Sequence, residues 1–374
     1  MQRTKVQEPL SKQMRRKVSN SKPEESEKEY DGDFGTVIST GSTLLDLEIS
    51  GGRVKGGGLC GGMFVEIFGP ESSGKTVMLC EIAGGVQRQG GDVRFDDPEA
   101  RLNKQFAKIF DLDTEEITYD RPNTVTEVFK NIRKWKPDSD KVINGTFTDS
   151  LAALSTNLEM DNEEGDKMGQ RRAKEFSEGF RKNARILTER NYLMVCSNQI
   201  RDTGNSYGPK TDSPGGKAIR FYASLRIKAN TPEKIWSEKT FNGQVIKSCI
   251  GVTTTFEIVK SSVWRPFGSA PVTIIFDYGV DDIRQNLQFV KKFAKKVVAE
   301  PDPKKKGKIN VKAGGKKETN SVYYVNDTKL DVSLDKSIGM VERMKLTQEL
   351  KDQVIELWEE MQTKFAQTRQ PKER

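Results

Sequence analysis

The chain has 374 residues, 62 Lys or Arg against 54 Asp or Glu, a net charge of +8 and no histidine. Without an imidazole there is no Ser-His-Asp triad, no histidine base and no histidine metal ligand, so any catalysis must use carboxylates, lysines, hydroxyls, backbone amides and a borrowed ion. Hydrophobic residues make up only 34%, and no apolar run reaches the roughly 18 residues that a membrane helix needs.

Residues 1–35 read as a charged arm, basic at Arg15, Arg16 and Lys17 and mixed in KPEESEKEYDGD. The arm has no apolar periodicity and no hydrophobic leader, which argues for a flexible segment and against secretion. VISTGSTLLDLEISGG then suits a small leading element, and the glycine-rich 51–62 a loop. MFVEIF (63–68) reads as a buried strand and KTVMLCEIAGGVQRQ (75–89) as a helix, with Val77, Met78, Ile82 and Val86 on one face. DVRFDD reads as a second strand, RLNKQFAKIF and TVTEVFKNIRKW as helices, and KVINGTFTDS as a weakly marked third strand. A long helix in RAKEFSEGFRKNARILTER leads to a fourth apolar strand, YLMVCSNQ (192–199). FYASLRIKA, TTTFEIVKSS and APVTIIFDYG are strand-like. This alternation predicts an α/β core, residues 36–285, with a mainly parallel twisted sheet flanked by helices.

Beyond it, residues 291–317 hold eleven lysines and two acidic residues, Glu300 and Asp302. A strand pair in KINVKAGGKKETNSVYYVN and a helix in KLTQELKDQVIELWEEMQTKF complete an expected small α+β domain over 286–374. The four cysteines, Cys60, Cys80, Cys196 and Cys249, are dispersed and form no CxxC pair, as expected in a reducing cytoplasm.

One motif carries chemistry. Gly69, Pro70, Glu71, Ser72, Ser73, Gly74, Lys75 and Thr76 fit the phosphate-loop pattern GxxxxGK[ST], between a predicted strand and a predicted helix. The glycines let successive amides face one phosphate, and the helix N-terminus adds partial positive charge. Lys75 can reach the outer phosphates of ATP and the Thr76 hydroxyl can ligate Mg2+. Hydrolysis also needs carboxylates to orient water and to hold the ion. Glu99, after the DVRFDD strand, and Asp149, after the NGTFT strand, stand where adjacent strand ends would converge on the phosphates.

These segments resemble the RecA recombinases. GPESSGKT is the family's form of the phosphate loop, and VISTGSTLLDL resembles the stretch leading into its core. DPEARLNKQFAKIFDLD, TDSLAAL and SNQIR with PGGKAIRFYASLRIKA follow in the family's order over about residues 36–282. The resemblance implies a DNA-dependent ATPase that forms a homo-oligomeric helical filament on single-stranded DNA and pairs it with homologous duplex DNA. Carried over by position, the loop through Val77 binds ATP, Glu99 activates water and Asp149 holds Mg2+ through water. Gln199 senses the γ-phosphate, and Asn103 and Phe106 meet adenine. Lys260 reaches the γ-phosphate of a neighbouring subunit. The DNA loops fall at about 157–172 and 200–217. Met168, Arg171, Arg172, Arg181, Arg201, Tyr207, Lys210, Gly215, Gly216 and Lys217 are the DNA-binding candidates.

The sequence departs from the family in three places. Asn144, Gly145, Thr146, Phe147 and Thr148 stand where an aliphatic strand is usual. The second DNA loop, TGNSY, is one residue short and lacks an aliphatic wedge. Ser262 replaces the second of two interface lysines, which removes a cation from the transition state and should slow hydrolysis. Two alternatives remain open: a helicase or repair ATPase on the same core, and a slowly hydrolysing filament or mediator that holds DNA. The lysine run reads either as a solvated linker or as a surface that captures duplex DNA. The cell is expected to be a bacterium, free of phage or infected by one.

Overall fold

The computed structural model describes residues 35–139, 141–156, 168–202, 211–212, 216–294, 322–366 and 369, with backbone only for 168–170, 201–202, 211–212 and 216–217. The charged arm through residue 34 lies outside them.

The chain enters through a short strand, β1 (Val37–Ile38), and a helix, α1 (Thr43–Ser50). The Ser42 hydroxyl caps α1 by accepting from the Leu45 amide at 3.4 Å. β2 (Leu59–Cys60) pairs antiparallel with β1. The apolar run MFVEIF then becomes β3 (Phe64–Gly69), buried along its whole length. α2 (Lys75–Arg88), β4 (Val93–Asp96), α3 (Lys104–Ile109), β5 (Ile117–Asp120), α4 (Val125–Lys134) and β6 (Asn144–Thr148) follow. α5 (Met168–Glu189) leads into β7 (Tyr192–Gln199). Strands β3, β7, β6, β4 and β5 lie side by side in that order, all parallel. The chain therefore passes from β3 over two positions to β4 and fills the gap later. The carboxyl end of β3 becomes an open crevice, where sheets of this kind bind ligands.

β8 (Arg201–Asp202) and β9 (Thr211–Asp212) form a small antiparallel pair before α6 (Gly216–Tyr222). β10 (Leu225–Ala229) completes the parallel part beside β3. β11 (Glu233–Phe241), β12 (Gln244–Ser261), β13 (Ser269–Ile275) and β14 (Gly279–Val280) extend the sheet antiparallel. α7 (Asp282–Phe293), the hairpin β15 (Tyr324–Val325) and β16 (Thr328–Lys329), α8 (Leu334–Met344) and α9 (Thr347–Thr363) follow. α9 packs on α1 and α7.

Several elements differ from the sequence reading. Phe221 and Tyr222 sit at or near the end of a helix, not in a strand. Ile219 and Ala223, four residues apart, point together into the core cluster and impose the helical period. The helix expected over RLNKQFAKIF starts only at Lys104, because Asn103 is its cap. ITYD and EKIWSEKTF, which read as neither, form β5 and β11. Of the expected late strand pair, residues 308–321 lie outside the described residues, and the observed hairpin uses residues 324–329.

The core explains the unusual third strand. NGTFT is buried throughout, between β4 and β7. A Cβ at position 145 would come within 2.4 Å of the Phe147 ring, so glycine makes room for an aromatic that stacks on Phe95 at 6.0 Å. The Asn144 amide donates to the Ser139 carbonyl at 2.6 Å and accepts from the Asp92 N–H at 2.9 Å. Beyond the sheet, Phe176 and Phe180 of α5, Val128 and Phe129 of α4, and Tyr192, Met194 and Cys196 of β7 share one cluster. The even residues of β7 face it, as the two-residue strand period requires.

Beneath the crevice lies a buried ion pair. Glu66 of β3, fully buried, accepts from Arg226 Nε of β10 at 2.6 Å and from Asn198 Nδ2 of β7 at 2.9 Å. The Arg226 guanidinium also lies 4.4 Å from the centre of the Phe68 ring. The pair and Asn198 tie together three adjacent strands, of which β3 and β7 end at the crevice. Arg226→Met should destabilise the chain by about 3–5 kcal/mol, because it strands a buried charge. Adding Glu66→Gln should recover most of that loss. Denaturant unfolding followed by tryptophan fluorescence measures both.

Candidate functional site

The phosphate loop leaves β3 at Gly69 and enters α2 at Lys75. Ser72 and Gly74 both adopt left-handed backbone, φ 57° and 87°. Such alternation turns neighbouring amides toward one concavity, a form suited to an anion. A Cβ on Gly74 would lie 2.2 Å from Ile274 Cδ1, the far end of a flexible side chain, so it is φ rather than space that selects glycine there. Ser73 is buried and its hydroxyl donates to the Pro70 carbonyl at 2.8 Å. The Lys75 ammonium folds back on the same loop, donating to the carbonyls of Gly69 at 3.0 Å and Pro70 at 2.6 Å. Burial, first of all, lowers the Lys75 pKa, and Asp149 works against that shift.

This loop forms one wall of a cleft of about 590 Å3. Of the sequence candidates, Glu71 through Val77, Glu99, Phe106, Asp149 and Gln199 all line it. Asp149 follows β6 and is 3% exposed. One carboxylate oxygen accepts from the Thr76 hydroxyl at 2.6 Å and the other from the Ser197 hydroxyl. Burial pushes the Asp149 pKa up, the two hydroxyls oppose it, and the charges of Glu99 and Asp97 add to the rise. Glu99 accepts from the Ser150 hydroxyl at 2.5 Å and is ion-paired with Arg101. Gln199 closes β7, and its amide donates to Asn198 Oδ1 at 3.1 Å. Its position is thereby linked to Glu66.

The donor set fits a magnesium nucleotide. A buried carboxylate and an adjacent hydroxyl are hard oxygen donors, and among the described residues no cation is bonded to Asp149. Among the described residues no group of three or more acidic or cysteine side chains could hold an ion unaided. Mg2+ ordinarily takes one or two protein oxygens and completes its shell with phosphates and water.

Other candidates stand elsewhere. Asn103 does not line the cleft; its side chain caps α3, accepting from the Phe106 amide at 2.9 Å. Lys260 Nζ donates to the carbonyls of Arg220 and Phe221 at 2.7 and 2.9 Å, at the end of α6. The Ser262 amide bonds to the Ser224 carbonyl at 2.7 Å. Arg172 donates to the carbonyls of Leu151 and Ala152 at 2.5 and 2.8 Å, tying the start of α5 to the turn after Asp149. Arg171 and Arg181 are exposed on α5. Met168, Arg201, Gly216 and Lys217 are described by backbone alone, while Tyr207, Lys210 and Gly215 lie outside the described residues.

The sequence reading missed Arg101, Ser150, Ser197 and Phe276, all of which line the cleft. Phe276 follows β13 and is half exposed. In the sequence Phe276 falls inside the strand-like run APVTIIFDYG and is not set apart from it, and the two serines stand among dozens of polar residues.

A family model described as the RecA N-terminal domain matches residues 26–281. The chain belongs to the RecA family. Protein RecA of Thermus thermophilus is 32% identical over 251 residues, which is 66% of this chain and 69% of that protein. Protein RecA of Thermus aquaticus is 31% identical over the same length. Protein RecA of Lactococcus lactis subsp. cremoris is 32% identical over 253 residues, 67% of this chain and 62% of the relative. RecA family proteins act in DNA recombination and repair as DNA-dependent ATPases that use ATP and Mg2+. No described helix of this member is long and apolar enough to cross a membrane.

The Asp149 environment yields a pH test. A carboxyl whose pKa rises on folding contributes stability that is present below its unfolded value, near 3.8, and lost as pH rises through the folded value. Asp149→Asn removes the charge and keeps the shape. Its unfolding midpoint should match the parent near pH 4 and exceed it at about pH 7, in a thermal melt without nucleotide. A variant less stable than the parent at neutral pH would contradict the assignment.

Proposed function

We propose that this chain is a DNA-dependent ATPase that forms a helical filament on single-stranded DNA and exchanges strands with a homologous duplex. One observation carries the reading: the phosphate loop, Glu99, Asp149 and Gln199, from four separate segments, line one cleft. In this account Lys75 and the loop amides bind the phosphates. Thr76 ligates Mg2+ and Asp149 holds it through water. Bound Mg2+ supplies the positive charge that offsets charge building on the phosphates. Glu99 accepts the proton of the attacking water, and Phe106, with Asn103 close by on the same turn, meets the adenine. Gln199 reads the γ-phosphate and passes its state to the loop that follows.

DNA meets the segments near 157–172 and 200–217, through Met168, Arg171, Arg172, Arg181, Arg201, Tyr207, Lys210, Lys217 and the backbone at Gly215 and Gly216. Clustered cations there bind the phosphate backbone in a salt-dependent way. The arm to residue 35, the core to 285 and the region 286–374 are the working parts, in a cytoplasmic setting.

A second reading, a filament that hydrolyses slowly, draws on Lys260 and Ser262. The Lys260 ammonium is bonded to two carbonyls of its own chain, and Ser262 offers no charge in support. A weak trans contribution slows turnover without preventing assembly.

Electron microscopy on single-stranded DNA with ATP, beside a strand-exchange assay, tests the proposal. The expected result is an extended filament and exchanged product, with both lost in Lys75→Ala. Rings in place of filaments would favour the helicase alternative. Filaments with exchange but little ATP turnover would favour the slow reading.

A further inference from the structure

Arg101 also lines the cleft. The turn that presents it is pinned. Asp97 is buried and accepts from the Leu102 amide at 2.9 Å and from the Tyr119 hydroxyl at 3.0 Å. The Ala100 amide donates to the Asp97 carbonyl at 3.1 Å, and Ala100 itself is left-handed, φ 53°. The left-handed residue sits between Glu99 and Arg101, and both flanking side chains face the same cleft.

Both oxygens of Glu99 are occupied. One accepts from the Ser150 hydroxyl and the other faces the Arg101 guanidinium. Each oxygen keeps a second acceptor site, but the guanidinium competes with water for one of the two oxygens, so Glu99 is best placed to act as a base once that partner has left. Ser150 is 3% exposed and sits next to Asp149. The Arg101 side chain is 59% exposed while that of Glu99 is 12% exposed. Arg101 is therefore the partner free to move. Its ion pair gives no structural reason for the residue either, since an exposed pair contributes only about 0–1 kcal/mol. A guanidinium at the mouth of a phosphate cleft has a stronger acceptor available, because it binds phosphate oxygens in a fork. Arg101 also lies near enough to Lys75 for its charge to lower that ammonium's pKa, in the same sense as burial, the leading cause.

The geometry points to Arg101 as a second phosphate ligand supplied in cis: it holds Glu99 while the cleft lacks a triphosphate, and it transfers to the terminal phosphate when one binds, which frees the carboxylate. The inference rests on the nucleotide reading of the cleft given above. It also supplies from within the chain a cation where Ser262 removes one at the interface. No covalent step is involved; one ion pair is exchanged for another.

The test is binding, independent of turnover. Titration calorimetry with Mg2+ compares a non-hydrolysable ATP analogue and ADP on the full chain, Arg101→Ala and Arg101→Lys. The expected result in Arg101→Ala is a loss of about tenfold to a hundredfold in affinity for the triphosphate, the range of one charge-assisted hydrogen bond. ADP affinity should change by less than about twofold, and Arg101→Lys should recover part of the loss as a point charge without the fork. Equal losses for both nucleotides would show a merely structural role, and no loss for either would show no contact; each overturns the inference. Failure of the unaltered chain to bind either nucleotide would instead refute the nucleotide reading, and this inference with it.

Discussion

The site depends on one electrostatic constraint: a carboxylate is buried at a strand end with, among the described residues, no cation bonded to it. Asp149 is held by two hydroxyls, from α2 and β7, and burial raises its pKa. Glu99 and Asp97 stand close enough to raise it further. Hydroxyl donors orient the group but bring no charge. In the folded chain this arrangement is costly at neutral pH. On the proposed reading, a divalent ion with its phosphates would offset that cost, and the fold would give up some stability to keep a place for the ion.

Everything around that carboxylate serves to hold its neighbours still. β3 and β7 end level, with Gly69 beside Gln199, and β6 stops three residues sooner, with Thr148 beside Cys196. Their order places the phosphate loop, Asp149 and Gln199 on adjacent strand ends. The Glu66, Arg226 and Asn198 cluster locks β3, β10 and β7 together just below. Asn198 then sets the backbone of Gln199 through its own side chain. The antiparallel half contributes Ile274 and Phe276 to the lining of the cleft. The left-handed backbone at position 74, φ 87°, explains why it is glycine.

Much of this was legible in the sequence, for physical reasons that differ by residue. The phosphate loop was readable because its glycines, lysine and threonine have fixed spacing between an apolar strand and a helix. Glu99 and Asp149 were readable because both stand just past a strand. The third strand was hard to read because its burial rests on Gly145 accommodating the ring of Phe147, and on Asn144 bonding to the chain around it. Neither effect follows an aliphatic pattern. α6 was misread because a seven-residue helix running up to an apolar strand shows too few turns to display its period. Asn103 illustrates a different limit. Its position matched a nucleotide contact, but a side chain that caps a helix cannot be told from one that faces a ligand by spacing alone. Arg101 and Ser150 were invisible because their meaning lies in Glu99, which only the folded turn brings between them.

The most direct measurement is the dependence of nucleotide affinity on Mg2+. Calorimetric titration of the intact chain with ADP should give at least about tenfold tighter binding with Mg2+ than with a chelator present, a difference of about 1.4 kcal/mol or more. Equal affinity under the two conditions would contradict the claim that the buried Asp149 and Thr76 pair is built to accept an ion.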